Sequence, residues 1–224
     1  MKKKYYLFEM NAVGLNIISI VILVLMFMLT FAIIDSFRLN ALDPAIMLLL
    51  LIPYLCFHEV LHSIGYVLCG ADFKRITYGA HIEKGVLCCL CKQNVNKRCI
   101  MVSLLFPFVF IGVVTYIIGI IINNPILILL SIFNISGCSG DLLMFFYFIP
   151  LKNFEYAEYD NPIAFGLYSS DDLSKKKLFG LKYVGTEDKL NQTVDKKVDI
   201  SKVSIIYFVF TVLLALVSLV LIML

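Results

Sequence analysis

The chain has 224 residues, of which 61% are hydrophobic and 16% are charged, and its mean hydropathy is +0.92. Soluble domains contain roughly 45–50% apolar residues, so this composition excludes an ordinary soluble protein and predicts an integral membrane protein. The net charge of +3 comes from basic residues scattered between apolar runs, which argues against nucleic-acid binding.

The first apolar run covers residues 11–34 and follows the basic start "MKKKYYLFEM". Its length exceeds the ~7–15 apolar residues of a cleavable signal peptide. We therefore expect a signal anchor that remains in the membrane as the first spanning helix.

Four further runs approach the ~20 apolar residues that a spanning helix needs, at residues 45–69, 100–122, 125–149 and 203–224. The turn signal "NNP" between the third and fourth runs predicts that these two helices form an antiparallel hairpin. The sequence thus predicts an all-α membrane protein with about five spans, forming a single polytopic domain over residues 1–224.

Basic residues alternate along the connections between these spans. The N-terminal segment carries three lysines, residues 70–99 carry six Lys or Arg residues, and residues 150–202 carry nine lysines. The two remaining connections carry one arginine in total. The positive-inside rule predicts a cell-membrane protein with a cytoplasmic N-terminus, an external C-terminus and two cytoplasmic loops, 70–99 and 150–202.

These two loops differ in composition. Residues 76–89 contain two β-favouring runs around "EKG" and predict a small cytoplasmic β-hairpin between helices 2 and 3. Residues 151–201 are polar and predict a mobile or partly helical loop. The seven cysteines are an odd number, which does not fit a disulfide framework, and a second metal site at Cys88, Cys89, Cys91 and Cys99 lacks the usual zinc spacing.

The second span contains the motif "HEVLH", residues 58–62. On a helix, His58 and His62 project from one face and can bind one metal ion, while Glu59 beside them can accept a proton from the attacking water. Ionisable groups near the bilayer centre cost ~2.5–3.5 kcal/mol each and usually serve a function. The alternative is a set of polar side chains that bond to a neighbouring helix.

A catalytic zinc site needs a third protein ligand in addition to the two histidines. His81 falls in the predicted hairpin, and Glu155, Glu158 and Asp160 follow the fourth span. Asp141 is the better candidate. Counting at ~1.5 Å per residue places both Asp141 and the motif about 14–15 Å from the cytoplasmic ends of their predicted helices, so they should lie at the same depth. The alternative role for Asp141 is a cap or hydrogen bond to another helix.

The strings "FHEVLHSIGY", "KRCIMVSLLFP" and "NISGCSGDLLMF" resemble the DUF3267 family of zincin-type membrane peptidases over roughly residues 50–170. The arrangement is also similar to intramembrane zinc metalloproteases of the site-2 protease type. The resemblance implies Zn²⁺ held by His58, His62 and Asp141, with Glu59 as the base. Site-2 proteases usually carry N-P-D-G around the aspartate, whereas this sequence has "CSGDLL".

The predicted function is zinc-dependent cleavage of a membrane-associated or transmembrane protein or peptide near the cytoplasmic side of the bilayer. The predicted partners are the lipid bilayer and this substrate, without nucleic acid. The alternative is a non-catalytic metal-binding membrane scaffold, regulatory or immunity protein. A transporter is a third interpretation, but no inverted repeat is visible and five spans fit one poorly.

Overall fold

The structure is a computed structural model that describes residues 3–34, 37–81, 86–158, 164–174 and 179–186. The predicted span 203–224 lies outside these residues, as do residues 187–202 of the last predicted loop. Within the described residues, three helical segments are long and apolar enough to cross a membrane, at Ala12–Ile33, Asp43–Leu68 and Lys97–Ile121. A fourth candidate is a bent pair of helices.

Three of the helices begin after an asparagine whose side chain caps the first turn. Helix α1 (Ala12–Ile33) starts after Asn11, whose side chain accepts from two backbone N–H groups of the first turn. Helix α2 (Asp43–Leu68) has a proline in its first turn and continues through Pro53. The Asn96 side chain caps α3 (Lys97–Pro107) by accepting from the Cys99 N–H.

The third segment changes its winding in the middle. After α3, a π-helical stretch covers Phe108–Val114 and continues directly into α4 (Thr115–Ile121). A turn then leads to α5 (Pro125–Gly137), which has the "NNP" proline in its first turn. Helix α6 (Ser139–Phe148) follows α5 at an angle of 48°. The fourth predicted span is therefore broken at Cys138, whereas the sequence predicted one continuous helix.

The described chain also contains two β-sheets. Strands β2 (Ile76–His81) and β3 (Val86–Cys91) lie between α2 and α3 and pair with each other antiparallel. The larger sheet has the order β4-β5-β6-β1-β7, where β1 is Lys4–Met10 and β4 is Val95–Asn96. Its other strands are β5 (Phe154–Glu158), β6 (Ala164–Ser169) and β7 (Leu181–Thr186).

This five-stranded sheet corrects two expectations. The all-α class is incomplete, because the fold is mostly helical with sheets attached. Residues 151–201 were predicted as a mobile or partly helical loop, but the described parts of this segment contribute three strands. The physical reason is a pairing partner far away in sequence: β1 pairs with β6 from Lys4↔Ser169 to Glu9↔Ala164.

The larger sheet packs on the helices through an aromatic core. Phe8 of β1 is 1% exposed, and its ring stacks on Phe165 at 5.6 Å between centroids and tilts against Tyr147 of α6 at 5.3 Å. Tyr5, on the opposite face of β1, lies over Gly166, where a Cβ atom would approach the Tyr5 hydroxyl oxygen to 2.1 Å. The sheet is thus fixed against the end of α6, and α6 carries Asp141.

The small sheet is attached to α2 next to the motif. The Tyr78 hydroxyl of β2 donates to Ser63 Oγ at 2.6 Å, and Ser63 donates to the Val60 carbonyl. Burial raises the pKa of the Tyr78 phenol above its usual range, so the hydroxyl stays protonated and keeps donating. This contact holds β2 and β3 against the helical turn that contains His62.

Helices α2 and α3 approach each other closely at Gly65. A Cβ atom there would lie 2.7 Å from the Cα atom of Ser103 and 3.2 Å from its backbone nitrogen. Because the obstructing atoms are backbone, the two helices would have to separate to admit even a methyl group. A glycine is therefore required at this crossing.

We expect Gly65→Ala to lower the free energy of unfolding by about 1–3 kcal/mol, the usual cost of overpacking. Thermal unfolding in detergent, followed by circular dichroism, measures this loss. Gly137→Ala is the matched control, since a Cβ atom at Gly137 meets nothing within 4 Å. Equal melting temperatures for the two variants would contradict the close-approach explanation.

Candidate metal centre

His58 and His62 lie one turn apart on α2, and their rings face the same side. Their Nε2 atoms are 3.1 Å apart. The histidine side chains are only 12% and 10% exposed. The helical spacing of "HEVLH" therefore brings both imidazoles to one point, as the sequence predicted.

Asp141 approaches the same point from α6. Its Oδ2 atom lies 3.4 Å from His58 Nε2 and 3.5 Å from His62 Nε2. Asp141 sits in the first turn of α6, immediately after the bend at Cys138, and this helix start favours a negative charge. The structure thus brings together the three residues that the sequence predicted as metal ligands.

The three ligand atoms fit a zinc ion. Ligands placed tetrahedrally at about 2.0–2.2 Å from zinc are separated from one another by about 3.3–3.6 Å. The two separations from Asp141 Oδ2 to the Nε2 atoms, 3.4 and 3.5 Å, fall in this range, and the 3.1 Å between the two Nε2 atoms is slightly shorter. Among the described residues, this is the group of three His, Cys, Asp or Glu side chains that could hold a metal ion. Their role as ligands stays a prediction.

Asn134 of α5 orients the His58 ring by contacting Nδ1, the ring nitrogen that faces away from His62 and Asp141. His58 Nδ1 lies 2.8 Å from Asn134 Oδ1, and Asn134 Nδ2 donates to the carbonyl of Pro107 at 3.2 Å. The second contact fixes which end of the amide faces the histidine. Pro107 directly precedes the π-helical stretch, a conformation that often marks functional sites.

The outer nitrogen of His62 is oriented by α3. His62 Nδ1 lies 2.9 Å from the Ser103 carbonyl oxygen, and Ser103 Oγ donates back to the His62 carbonyl at 2.9 Å. This reciprocal pair lies at the α2–α3 crossing that Gly65 permits. The site therefore depends on the close approach of these two helices.

Both outer contacts fix the tautomer of the histidines. A carbonyl oxygen only accepts, so each Nδ1 carries a proton, and Nε2 is the ring atom whose lone pair can bind a metal ion when the ring is neutral. Two such lone pairs and a carboxylate converge at one point, an arrangement that a cation stabilises. Metal-binding histidines usually donate their second N–H to a carbonyl or carboxylate in this way.

We expect Asn134→Leu to weaken zinc binding about 10–100-fold, because it removes the acceptor that orients His58. Competition with a chromophoric chelator measures the affinity. Ser131→Ala is the control on the same helix, since Ser131 is also buried but bonds to Thr115 instead of a histidine. A similar loss in both variants would point to general destabilisation of α5.

Glu59 lies beside the three converging atoms but does not contribute one of them. The residue is 8% exposed, and its carboxylate accepts a hydrogen bond from the backbone N–H of Cys89 in β3. That N–H therefore points away from β2 and toward the site. The predicted base is thus positioned by α2 and by the small sheet together.

A cavity of about 390 Å³ connects these groups. Its walls come from helices α1, α2, α3, α5 and α6 and from strands β1, β3, β5 and β6. The polar groups of the site meet apolar side chains there, including Leu15, Leu87, Leu104, Met144 and Phe165. Strand β3 lines the cavity, and the described part of the chain adds no second partner strand to it.

The other candidates from the sequence lie elsewhere or are not described. Glu155 pairs with Lys3 at 2.5 Å in the larger sheet, away from the histidines. Asp160 and the side chains of His81 and Glu158 lie outside the described part of the chain. The cysteines form no disulfide in the described chain, and Cys88, Cys89, Cys91 and Cys99 do not form a second group of three ligands there.

Sequence reasoning missed the residues that support the ligands. The sequence assigned no site role to Asn134, although a buried asparagine in a span is itself a signal of a specific hydrogen bond. The Ser103 carbonyl and the Cys89 N–H are backbone groups, and no residue type in the sequence marks them. Only the tertiary structure identifies these two contacts.

The apolar helices indicate a membrane protein, and His58, His62 and Asp141 form a candidate metal site among them. Residues 48–153 match the family model of DUF3267, described as "Putative zincin peptidase". The match confirms the resemblance to this family that the sequence motifs indicated. The matched segment contains all four predicted site residues. No curated protein and no solved structure matches the chain.

Proposed function

We propose that the protein is an intramembrane zinc peptidase of the site-2 protease type. The observation that carries the proposal is the convergence of His58, His62 and Asp141 on one point, with Glu59 beside it on a cavity. The zincin peptidase family match supports zinc as the metal. In this proposal the two histidines and Asp141 hold the ion, and Glu59 is the catalytic residue.

The chain's own residues divide the work of peptide hydrolysis. Zinc, when bound, polarises the scissile carbonyl and makes water more acidic at neutral pH. Glu59 accepts the proton of the attacking water and then delivers it to the leaving amine. Asn134 and the Ser103 carbonyl keep both imidazoles oriented, and the apolar walls limit the access of bulk water.

The proposed substrate is a membrane-associated or transmembrane segment in extended conformation. Leu68 ends α2 ten residues beyond His58, or about 15 Å along the helix, which supports a site within the bilayer. A substrate strand adding to β3 would present its backbone next to Glu59. The basic connections support a cytoplasmic N-terminus, and this orientation places the site nearer the cytoplasmic face.

Metal analysis of the purified protein tests the centre. We expect about one zinc per chain in the wild type and none in His58→Ala, with the fold retained by circular dichroism. A wild-type protein without zinc would overturn the proposal. A protein that binds zinc but produces no zinc-dependent cleavage in membranes would instead be the non-catalytic scaffold or regulatory protein.

A further inference from the structure

A second groove lies apart from the metal centre, between the start of α3 and the end of α6. It has a volume of about 690 Å³. Lys97 and Arg98 stand at one end of the groove, and Met101, Val102 and Leu105 form its wall along α3. Phe145 contributes the facing wall from α6. The groove is therefore basic at one end and apolar along its length.

The change from basic to apolar residues runs along a candidate spanning helix. Lys97 is the first residue of a candidate span, and Leu105 lies eight residues further along it, or about 12 Å. Lys97 Nζ donates to the carbonyls of Ile149 and Leu151, just after α6 ends. The beginning of α3 and the end of α6 thus lie at the same level, with the apolar walls deeper in the bilayer.

The charged end has an excess of positive charge. Lys3, Lys97 and Arg98 face a single carboxylate, Glu155, which pairs with Lys3 at 2.5 Å. The Lys97 amine is occupied by the two carbonyls. Arg98 is exposed and makes no hydrogen bond or ion pair with the described residues. A guanidinium in this position suits a phosphate group, which it can bind through two parallel hydrogen bonds.

We propose that this groove binds an anionic phospholipid, with the headgroup phosphate on Arg98 and an acyl chain along Met101, Val102 and Leu105. Basic pockets between spanning helices bind anionic headgroups for the same electrostatic reason. The site requires neither the metal centre nor peptidase activity. A bound lipid here would hold the start of α3, and the same helix positions His62 through Ser103.

Native mass spectrometry of the full chain in neutral detergent tests the site, with phosphatidylglycerol or phosphatidylcholine added. We expect the wild type to retain phosphatidylglycerol in preference to phosphatidylcholine. Arg98→Gln should weaken phosphatidylglycerol binding about five- to tenfold. Arg75→Gln is the matched control, because Arg75 is also exposed but does not line the groove, and it should leave binding unchanged.

A second variant tests the acyl-chain wall. Val102→Trp should fill the groove and displace the lipid while Arg98 keeps its charge, with circular dichroism verifying that the protein is folded. Equal binding of both lipids, or equal losses in Arg98→Gln and Arg75→Gln, would overturn the proposal. Glycerol phosphate that displaces the lipid at similar concentration would also overturn it, since the site would then bind a free phosphate.

Discussion

Glu59→Gln is expected to reduce peptidase turnover by at least about 10²–10⁴-fold while zinc binding remains at the wild-type level. Glutamine has nearly the same shape and its carbonyl can still accept from the Cys89 N–H, but it cannot take a proton from water. The three converging atoms belong to other residues, so the metal centre stays intact. The expected result is an inactive protein with a normal zinc content.

Because the substrate is unknown, the measurement compares membrane proteomes from cells that produce the wild type or Glu59→Gln. A cleavage product present with the wild type and absent with the variant would identify activity and substrate together. Glu155→Gln is the control, since Glu155 is a carboxylate paired with Lys3 in the larger sheet. Products that persist with Glu59→Gln would exclude Glu59 as the base.

The geometry of the metal centre could be predicted in large part from the sequence. The spacing of His58 and His62 requires only a helix to bring them together, and the apolar run supplies that helix. Asp141 was found by counting residues to the predicted helix ends, and the structure places its carboxylate 3.4–3.5 Å from both histidines. Local periodicity and span length carry this information without any knowledge of tertiary contacts.

The larger sheet could not be predicted in the same way. Strand β1 immediately precedes an apolar helix, so its sequence "KYYLFEM" resembled the flank of a membrane anchor. Its neighbours β6 and β7 lie more than 150 residues away, and nothing local specifies a register over such a distance. Strand identity here depends on pairing and aromatic packing, which appear only when the chain is folded.

The broken fourth span shows how a local departure from regular structure serves the centre. The sequence around the bend is rich in small residues, "SGCSGD", and these permit the 48° change of direction. The bend ends α5 just after Asn134 and begins α6 just before Asp141. One break thus separates the residue that orients His58 from the residue that faces both histidines.

Asp141→Asn is expected to weaken zinc binding by more than about 100-fold. Replacing a residue that only orients a metal ligand typically costs about 10–100-fold, and loss of the ligand itself should cost more. Asparagine preserves the size of the side chain and removes its negative charge, so the loss reports the carboxylate itself. A structural cap or hydrogen bond to a neighbouring helix would survive this change, because an asparagine side chain also accepts and donates. The variant therefore separates a metal ligand from a merely structural aspartate.

Zinc affinity is measured by chelator competition for Asp141→Asn and for Asp72→Asn, an exposed aspartate that caps the short 3₁₀ helix Phe73–Arg75. The control should bind zinc like the wild type. Wild-type affinity in Asp141→Asn would remove Asp141 from the centre and leave only two protein ligands, which is too few for a catalytic zinc site. A selective loss would instead show that "CSGDLL" supplies the third ligand although it lacks the N-P-D-G sequence usual in site-2 proteases. The bend at Cys138, which brings this carboxylate to the histidines, would then be a functional feature of the fold.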